Sequence, residues 1–181
     1  MIAAASSRDL RHLNAAEGYL MLGMAQHALD ELGGVQRPLV DPFPYFLLKG
    51  YALRDLQRYE AALQAFEAAF NANPDHLGLL LAMGWCYKRS AQLPRAITML
   101  ELARRVDPED PLVAYNLSCY WALAGEKTKC LSSLAKALQL DDGFRPSIET
   151  ETDFDPVRDD PDFRRMLRIF DNEKLLAQKK G

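Results

Sequence analysis

Apolar residues fall at helical spacing in short blocks separated by polar turns, and the blocks come in pairs. Over 77–89 they recur at three- and four-residue steps, Ser90-Ala91-Gln92 makes a polar turn, and Pro94 suits the first turn of a second helix. That helix runs to about Val106, where Asp107-Pro108 ends it. Proline lacks the amide hydrogen a helix needs and pushes its predecessor away from helical angles. The pattern returns every 34 residues, over 43–76, 77–110 and 111–142. Pro74 and Pro108 share a slot that Asp142 takes in the third block; Ala69, Ala103 and Ala137 share another, and Ala62, Ala96 and Cys130 a further one. Gly50, Gly84 and Ser118 repeat inside the first helix of each pair. Helices joined by so short a turn cross closely, so small residues belong at the crossing while Phe66, Leu100 and Leu134 fill the space between.

These slots resemble the tetratricopeptide repeat family, in its small bacterial form. The 43–76 unit offers Phe46, Gly50, Tyr59, Ala62, Phe66, Ala69 and Pro74, departing at Lys49 and Leu53. The 77–110 unit fits best, with Leu80, Met83, Gly84, Tyr87, Ala96, Leu100, Ala103 and Pro108. The 111–142 unit offers Ala114, Leu117, Ser118, Trp121, Gly125, Leu134 and Ala137, with Cys130 and Asp142 replacing the expected Ala and Pro. A degenerate first unit, about 8–42, matches at Ala16, Tyr19, Gly23 and Ala28; its second helix is expected to end at Leu32-Gly33-Gly34 in a left-handed glycine stop, before a loop over 35–44 with Pro38, Pro42 and Pro44. The resemblance implies an all-α helix-turn-helix solenoid, a right-handed superhelix, with residues 1–142 as the array and 143–181 as an acidic linker and capping helix.

After Asp142 the register is lost. Residues 143–161 are rich in Asp, Glu, Thr and Pro, and a helical pattern resumes over 162–178 with Phe163, Met166, Leu167, Phe170, Leu175 and Leu176, Asp162 contributing to its N-terminus. Residues 141–173 carry 11 acids against 5 bases, whereas 1–140 balance at 14 each and Lys174, Lys179 and Lys180 restore positive charge. The string from Asp153 to Phe163 resembles segments that close bacterial tetratricopeptide arrays. A helix stack exposes an apolar end, and a terminal helix with a polar outer face covers it. A second reading has Phe144, Ile148 and Phe154 folding back over a basic, apolar groove.

Composition narrows the classes. With 181 residues, 49% apolar and 26% charged, the chain forms a core rather than a disordered ensemble. A net charge of -3 offers no footprint for nucleic acid. Three cysteines make no complete disulfide framework and no C-x-x-C pair, which fits a reducing compartment. The N-terminal stretch meets charge at Arg8 and Asp9 before a signal-length apolar core, and no 18-residue apolar run follows, so a cytoplasmic protein without membrane insertion is expected.

Little in the sequence asks for catalysis. His12, His27 and His76 have no partner at ligand spacing and read as surface or helix-end residues; Cys86, Cys119 and Cys130 lack a neighbouring base and read as small buried apolar groups. Phosphate-loop, dinucleotide, nucleophile-elbow and zinc-protease motifs are missing, and the acidic tail departs from a calcium loop, so it reads as a solvated linker. No cofactor and no metal are expected.

A surface remains. By resemblance, the first helix of each pair lines a concave groove through its second, fifth, ninth, twelfth and thirteenth slots. These fall on Leu13, Glu17, Leu20 and Met21; on Leu47, Tyr51, Arg54 and Asp55; on Leu81, Trp85, Lys88 and Arg89; and on Leu112, Tyr115, Cys119 and Ala122. The partner-binding set is Leu47, Tyr51, Arg54, Leu81, Trp85, Lys88, Arg89, Tyr115 and Cys119, apolar and aromatic with a small basic cluster. Leu13, Leu47 and Leu81 occupy the fifth slot, which disfavours the family's clamp for a C-terminal carboxylate. The expected function is non-enzymatic binding of a partner peptide or helix. The alternatives are a type III secretion-type chaperone for an exported client, a structural subunit forming a homo-oligomer, and, ranked last, an enzyme.

Overall fold

The computed structural model describes residues 7–36 and 41–178, with side chains described as far as Asn172. Residues 1–6, Pro38, Lys179 and Lys180 therefore lie outside it, as do the side chains of Lys174, Leu175 and Leu176. Every regular element among the described residues is helical. No described helix is long and apolar enough to cross a membrane.

The chain divides into two compact units, residues 1–106 and 107–181. The first holds α1 (Ser7–Met21), α2 (Ala25–Gly33), α3 (Phe43–Asp55), α4 (Tyr59–Ala72), α5 (Leu77–Arg89) and α6 (Leu93–Val106). The second holds α7 (Pro111–Leu123), α8 (Lys127–Leu140), α9 (Arg145–Ile148) and α10 (Pro161–Gln178), with single 3-10 turns at Asp142–Phe144 and Thr152–Phe154. The 111–142 repeat thus lies in one compact unit with residues 143–181.

One turn joins the helices of all four pairs. Gly23, Gln57, Ala91 and Gly125, each 34 residues after the last, hold positive φ of 71°, 59°, 57° and 74°. Each is followed by an amide that reaches back five residues: Met24 to the Tyr19 carbonyl, Arg58 to Leu53 and Gln92 to Tyr87, each at 2.8 Å, and Glu126 to Trp121 at 2.9 Å. This is a Schellman stop, in which a left-handed residue turns the chain and satisfies orphan carbonyls. The degenerate first unit therefore keeps the full register.

The crossings follow the expected small residues. A Cβ on Gly50 would come within 2.3 Å of the Phe66 ring, and one on Gly84 within 3.3 Å of Leu100. Phe66, Leu100 and Leu134 are fully buried, as are Ala62, Ala96 and Cys130 beside them. In the first unit Ala16, Ala28 and Leu32 take the equivalent places and pack with Leu13, Val35, Tyr45 and Ala52 into one core cluster. Leu13, assigned to the groove by its slot, belongs to that core.

The stop after α2 is not left-handed. Gly34 has φ −81° and ψ −11°, and its smallness serves packing: a Cβ there would meet the His12 ring at 2.6 Å. His12 Nδ1 in turn bonds Glu31 Oε2 at 2.8 Å, and buried Asp9 accepts from the Gln36 amide at 2.9 Å. Pro42 caps α3 and Pro44 lies in its first turn, so the loop before α3 is shorter than its prolines suggest.

The tail is folded, which corrects the solvated-linker expectation. Ile148, Phe154, Val157 and Phe163 are buried, and so is Asp153; Asp155, Asp159 and Asp162 are exposed. Arg158 gathers the segment, its guanidinium donating to the Ile148, Glu149 and Glu151 carbonyls at 3.1, 2.9 and 2.6 Å. The α10 N-terminus is capped by Asp160, which accepts from the Asp162 amide at 2.8 Å, and Asp162 lies in the first turn as expected. Lys127 of α8 donates to both Asp160 and Asp162.

Candidate binding surface

In the first unit α1 packs beside α3 and α3 beside α5, so their slots form one layer. Leu47, Tyr51 and Leu81 are half-buried. The Tyr51 ring meets Phe66 edge-on at 5.5 Å, and Arg54 lies 4.9 Å over it while bonding Asp55 at 2.9 Å. Burial raises the Tyr51 hydroxyl pKa, against the lowering effect of Arg54.

Trp85 is the exposed member, at 40%. Its ring stands edge-on to Tyr59 at 5.3 Å, and the Arg89 guanidinium lies 5.7 Å from each ring. Arg89 makes no ion pair or hydrogen bond among the described residues. Lys88, one residue earlier, is half-buried. An exposed indole, a phenol and a guanidinium held by cation–π contact can pack an apolar group while offering a planar fork to a carboxylate. Tyr59 escaped sequence reasoning because it starts α4 rather than lying on a first helix, and its separation from Trp85 is not a repeat period. On α1, Met21 is 84% exposed and Leu10 also faces solvent.

In the second unit the equivalent slots are covered. Tyr115 is only 7% exposed: Phe144 stacks on it at 4.6 Å with 15° between planes, and Phe154 meets it edge-on at 5.9 Å. Cys119 is buried beside Glu151 and Asp153. Tyr115 and Cys119 therefore do not line an open groove, because the chain's own residues 144–154 lie over them. Phe144 and Phe154 thus fold back over an apolar slot of α7, whereas the basic cluster of the fold-back reading lies on α3 and α5.

The chemistry of these groups is limited. Burial pushes the Cys86 thiol up to about 11 and the Cys130 thiol to about 12, so both are neutral near pH 7. Burial, then the neighbouring Cys119, Glu151 and Asp153, raises the Tyr115 hydroxyl strongly. Among the described residues, Cys119, Glu151 and Asp153 form the one group of three metal-donor side chains, their ligand atoms within 4.8 Å of one another. Glu151 also accepts from the Asp153 amide at 3.2 Å, so local turn geometry accounts for part of that closeness. His76 caps α5, its Nδ1 accepting from the Leu79 amide at 3.1 Å, and His27 packs 5.4 Å from the Tyr19 ring.

Helical hairpins in 34-residue register, each closed by the same left-handed turn, define an all-α repeat solenoid with an exposed aromatic surface. Residues 53–117 match the tetratricopeptide repeat profile. No curated protein matches it. Among solved structures it is similar to MamA, with TM-score 0.68 and 17% identity over 75% of this chain and 79% of that one. It is also similar to YrrB, described as a tetratricopeptide protein with an unusual peptide-binding site, with TM-score 0.67 and 20% identity over 80% and 75%. A third is TTC0263, a tetratricopeptide protein of Thermus thermophilus, with TM-score 0.63 and 17% identity over 92% and 99%.

Proposed function

We propose that this protein binds a segment of a partner protein on the α3–α5 face of its first unit, without chemistry of its own. The observation that carries this reading is the Tyr59–Trp85–Arg89 cluster, which leaves a large indole exposed beside a guanidinium with no ion-pair partner among the described residues. Trp, Tyr and Arg are the residues from which binding hot spots are built. Leu47, Tyr51 and Leu81 extend the apolar floor, and Arg54 and Lys88 add positive charge. The YrrB likeness supports the reading at the level of fold.

The test is affinity capture from native extract with wild-type protein and a Trp85→Ala/Tyr59→Ala variant of checked helicity, followed by rebinding of any candidate as a purified protein. A partner that binds wild type directly and loses at least about tenfold in affinity to the variant supports the face. A partner held equally by both moves the function elsewhere on the molecule.

A further inference from the structure

We infer that the segment taken by the α3–α5 face is acidic and carries a central aromatic side chain, the chemistry of the chain's own residues 149–157. The inference deepens the binding reading above and rests on it. The 34-residue register sets Tyr115 and Cys119 of α7 in the slots of Leu47 and Tyr51 on α3 and of Leu81 and Trp85 on α5. At α7 those slots are occupied, so the molecule itself displays what such a helix face accommodates. Two aromatic rings lie on Tyr115, one flat and one edge-on, and two carboxylates lie at Cys119.

The α5 face alters this arrangement: Leu81 stands in the slot of Tyr115, the aromatic ring moves to the slot of Cys119, and charge is added. Its slots hold Trp85 where α7 has Cys119, and Lys88 and Arg89 where α7 has Ala122 and Leu123. An aromatic side chain finds the Trp85 indole on α5, and an acid finds the Arg89 guanidinium at a position that carries no charge on α7. An uncharged ligand would cover the Arg89 guanidinium without replacing its hydration, a cost that a carboxylate removes. The open face thus suits an acidic aromatic segment better than the face that already holds one.

The test uses the full chain with Trp121→Phe, which leaves Trp85 as the single indole of the two. The probe is a blocked peptide Glu-Thr-Glu-Thr-Asp-Phe-Asp-Pro-Val, titrated while Trp85 emission is followed. The expected result is a saturable shift, weakened roughly tenfold by Arg89→Ala and by raising salt from about 50 to about 500 mM. Replacing the peptide's Phe by Ala, or its acids by amides, is expected to weaken it as much. If the amide peptide binds as tightly, the acidic requirement falls; if the Ala peptide does, the aromatic one falls. If neither peptide perturbs Trp85 at millimolar concentration, the ligand class is wrong. Whether the face itself is then also wrong is read separately, from the dependence of the captured partner on Trp85 and Tyr59.

Discussion

Helices α5 and α7 are built alike and meet different fates. Both follow an N-cap acceptor, His76 and Asp110, and both end in the same left-handed turn, at Ala91 and Gly125. Yet Trp85 is 40% exposed, while Cys119, in the equivalent slot, is buried. The difference lies in what the chain does after each hairpin: residues 144–163 place Phe144, Phe154 and Phe163 in the second unit, and the first two of these close over α7. A repeat slot specifies where a side chain points. Its availability to a partner is decided by sequence that carries no repeat.

The largest expected effect tests whether that cover is core or lid. Phe154 is fully buried, with its ring 5.9 Å from Tyr115 and 5.6 Å from Phe163. Phe154→Ala is expected to cost about 3–5 kcal/mol and to unfold α7, α8 and the tail together, measured by urea denaturation followed by circular dichroism. Trp85→Ala, at a partly exposed site, is expected to cost less than about 1.5 kcal/mol while abolishing partner binding. Should Phe154→Ala leave the second unit within about 1 kcal/mol of wild type and open Tyr115 to solvent, the tail would be a detachable cover and the two faces would be equivalent.

A smaller effect separates the crossings beneath the two faces. At Gly50 an added methyl meets the Phe66 ring at 2.3 Å, too close for either group to stay in place, so Gly50→Ala is expected to destabilise by about 1–3 kcal/mol. At Gly84 the nearest atoms belong to Leu100, 3.3 Å away, and the helix-forming advantage of Ala, about 1 kcal/mol, offsets the crowding. Ser118 already carries a Cβ at the α7 crossing, its hydroxyl donating to the Tyr115 carbonyl at 2.6 Å. Thermal midpoints of Gly50→Ala, Gly84→Ala and Ser118→Ala should therefore rank in that order, the first lowest.

The sequence was legible where it was periodic. The 34-residue spacing puts the start of α6 within one residue, and it assigns Ala16 and Ala28 to the first core. It failed where structure depends on contacts between elements. Gly34 reads as a helix stop, but its smallness answers the His12 ring, which arrives from α1. The tail reads as a solvated linker because acids dominate its composition, while the buried Ile148, Phe154 and Val157 sit in turns too short to show a period. At the candidate surface, Trp85 and Arg89 were legible from their slots; their partner Tyr59 was not, because it comes from α4.

The turns supply a third, smaller prediction. Left-handed geometry crowds a Cβ against the following carbonyl, so Gln57 and Ala91 are strained where Gly23 and Gly125 are not. Ala91→Gly is expected to stabilise the protein by about 0.5–1 kcal/mol in urea denaturation and to leave partner affinity unchanged. A change in affinity would mean that the turn geometry, as well as the α5 side chains, shapes the open face.

The smallest expected effect is a pH dependence confined to the second unit. The Lys127 ammonium bonds Asp160 at 3.0 Å and lowers its carboxyl pKa below the ordinary 3.8, with help from the Asp162 and Phe163 amides that the same carboxylate caps. A carboxyl that is more acidic folded than unfolded binds its proton more weakly in the native state. The stability it contributes is therefore present above pH 3.8 and lost as pH falls through its lower folded value. The exposed pair makes this a small slope. Lys127→Ala should flatten the part of the acid unfolding curve below about pH 4 that reports α10, and leave the near-neutral plateau almost unchanged. The matching variant in the first unit, Arg54→Ala, removes one positive charge from a pair made with the adjacent Asp55, which ties no second helix, and so serves as the net-charge control. Equal flattening in both variants would show that acid sensitivity comes from net charge rather than from the tie between α8 and α10.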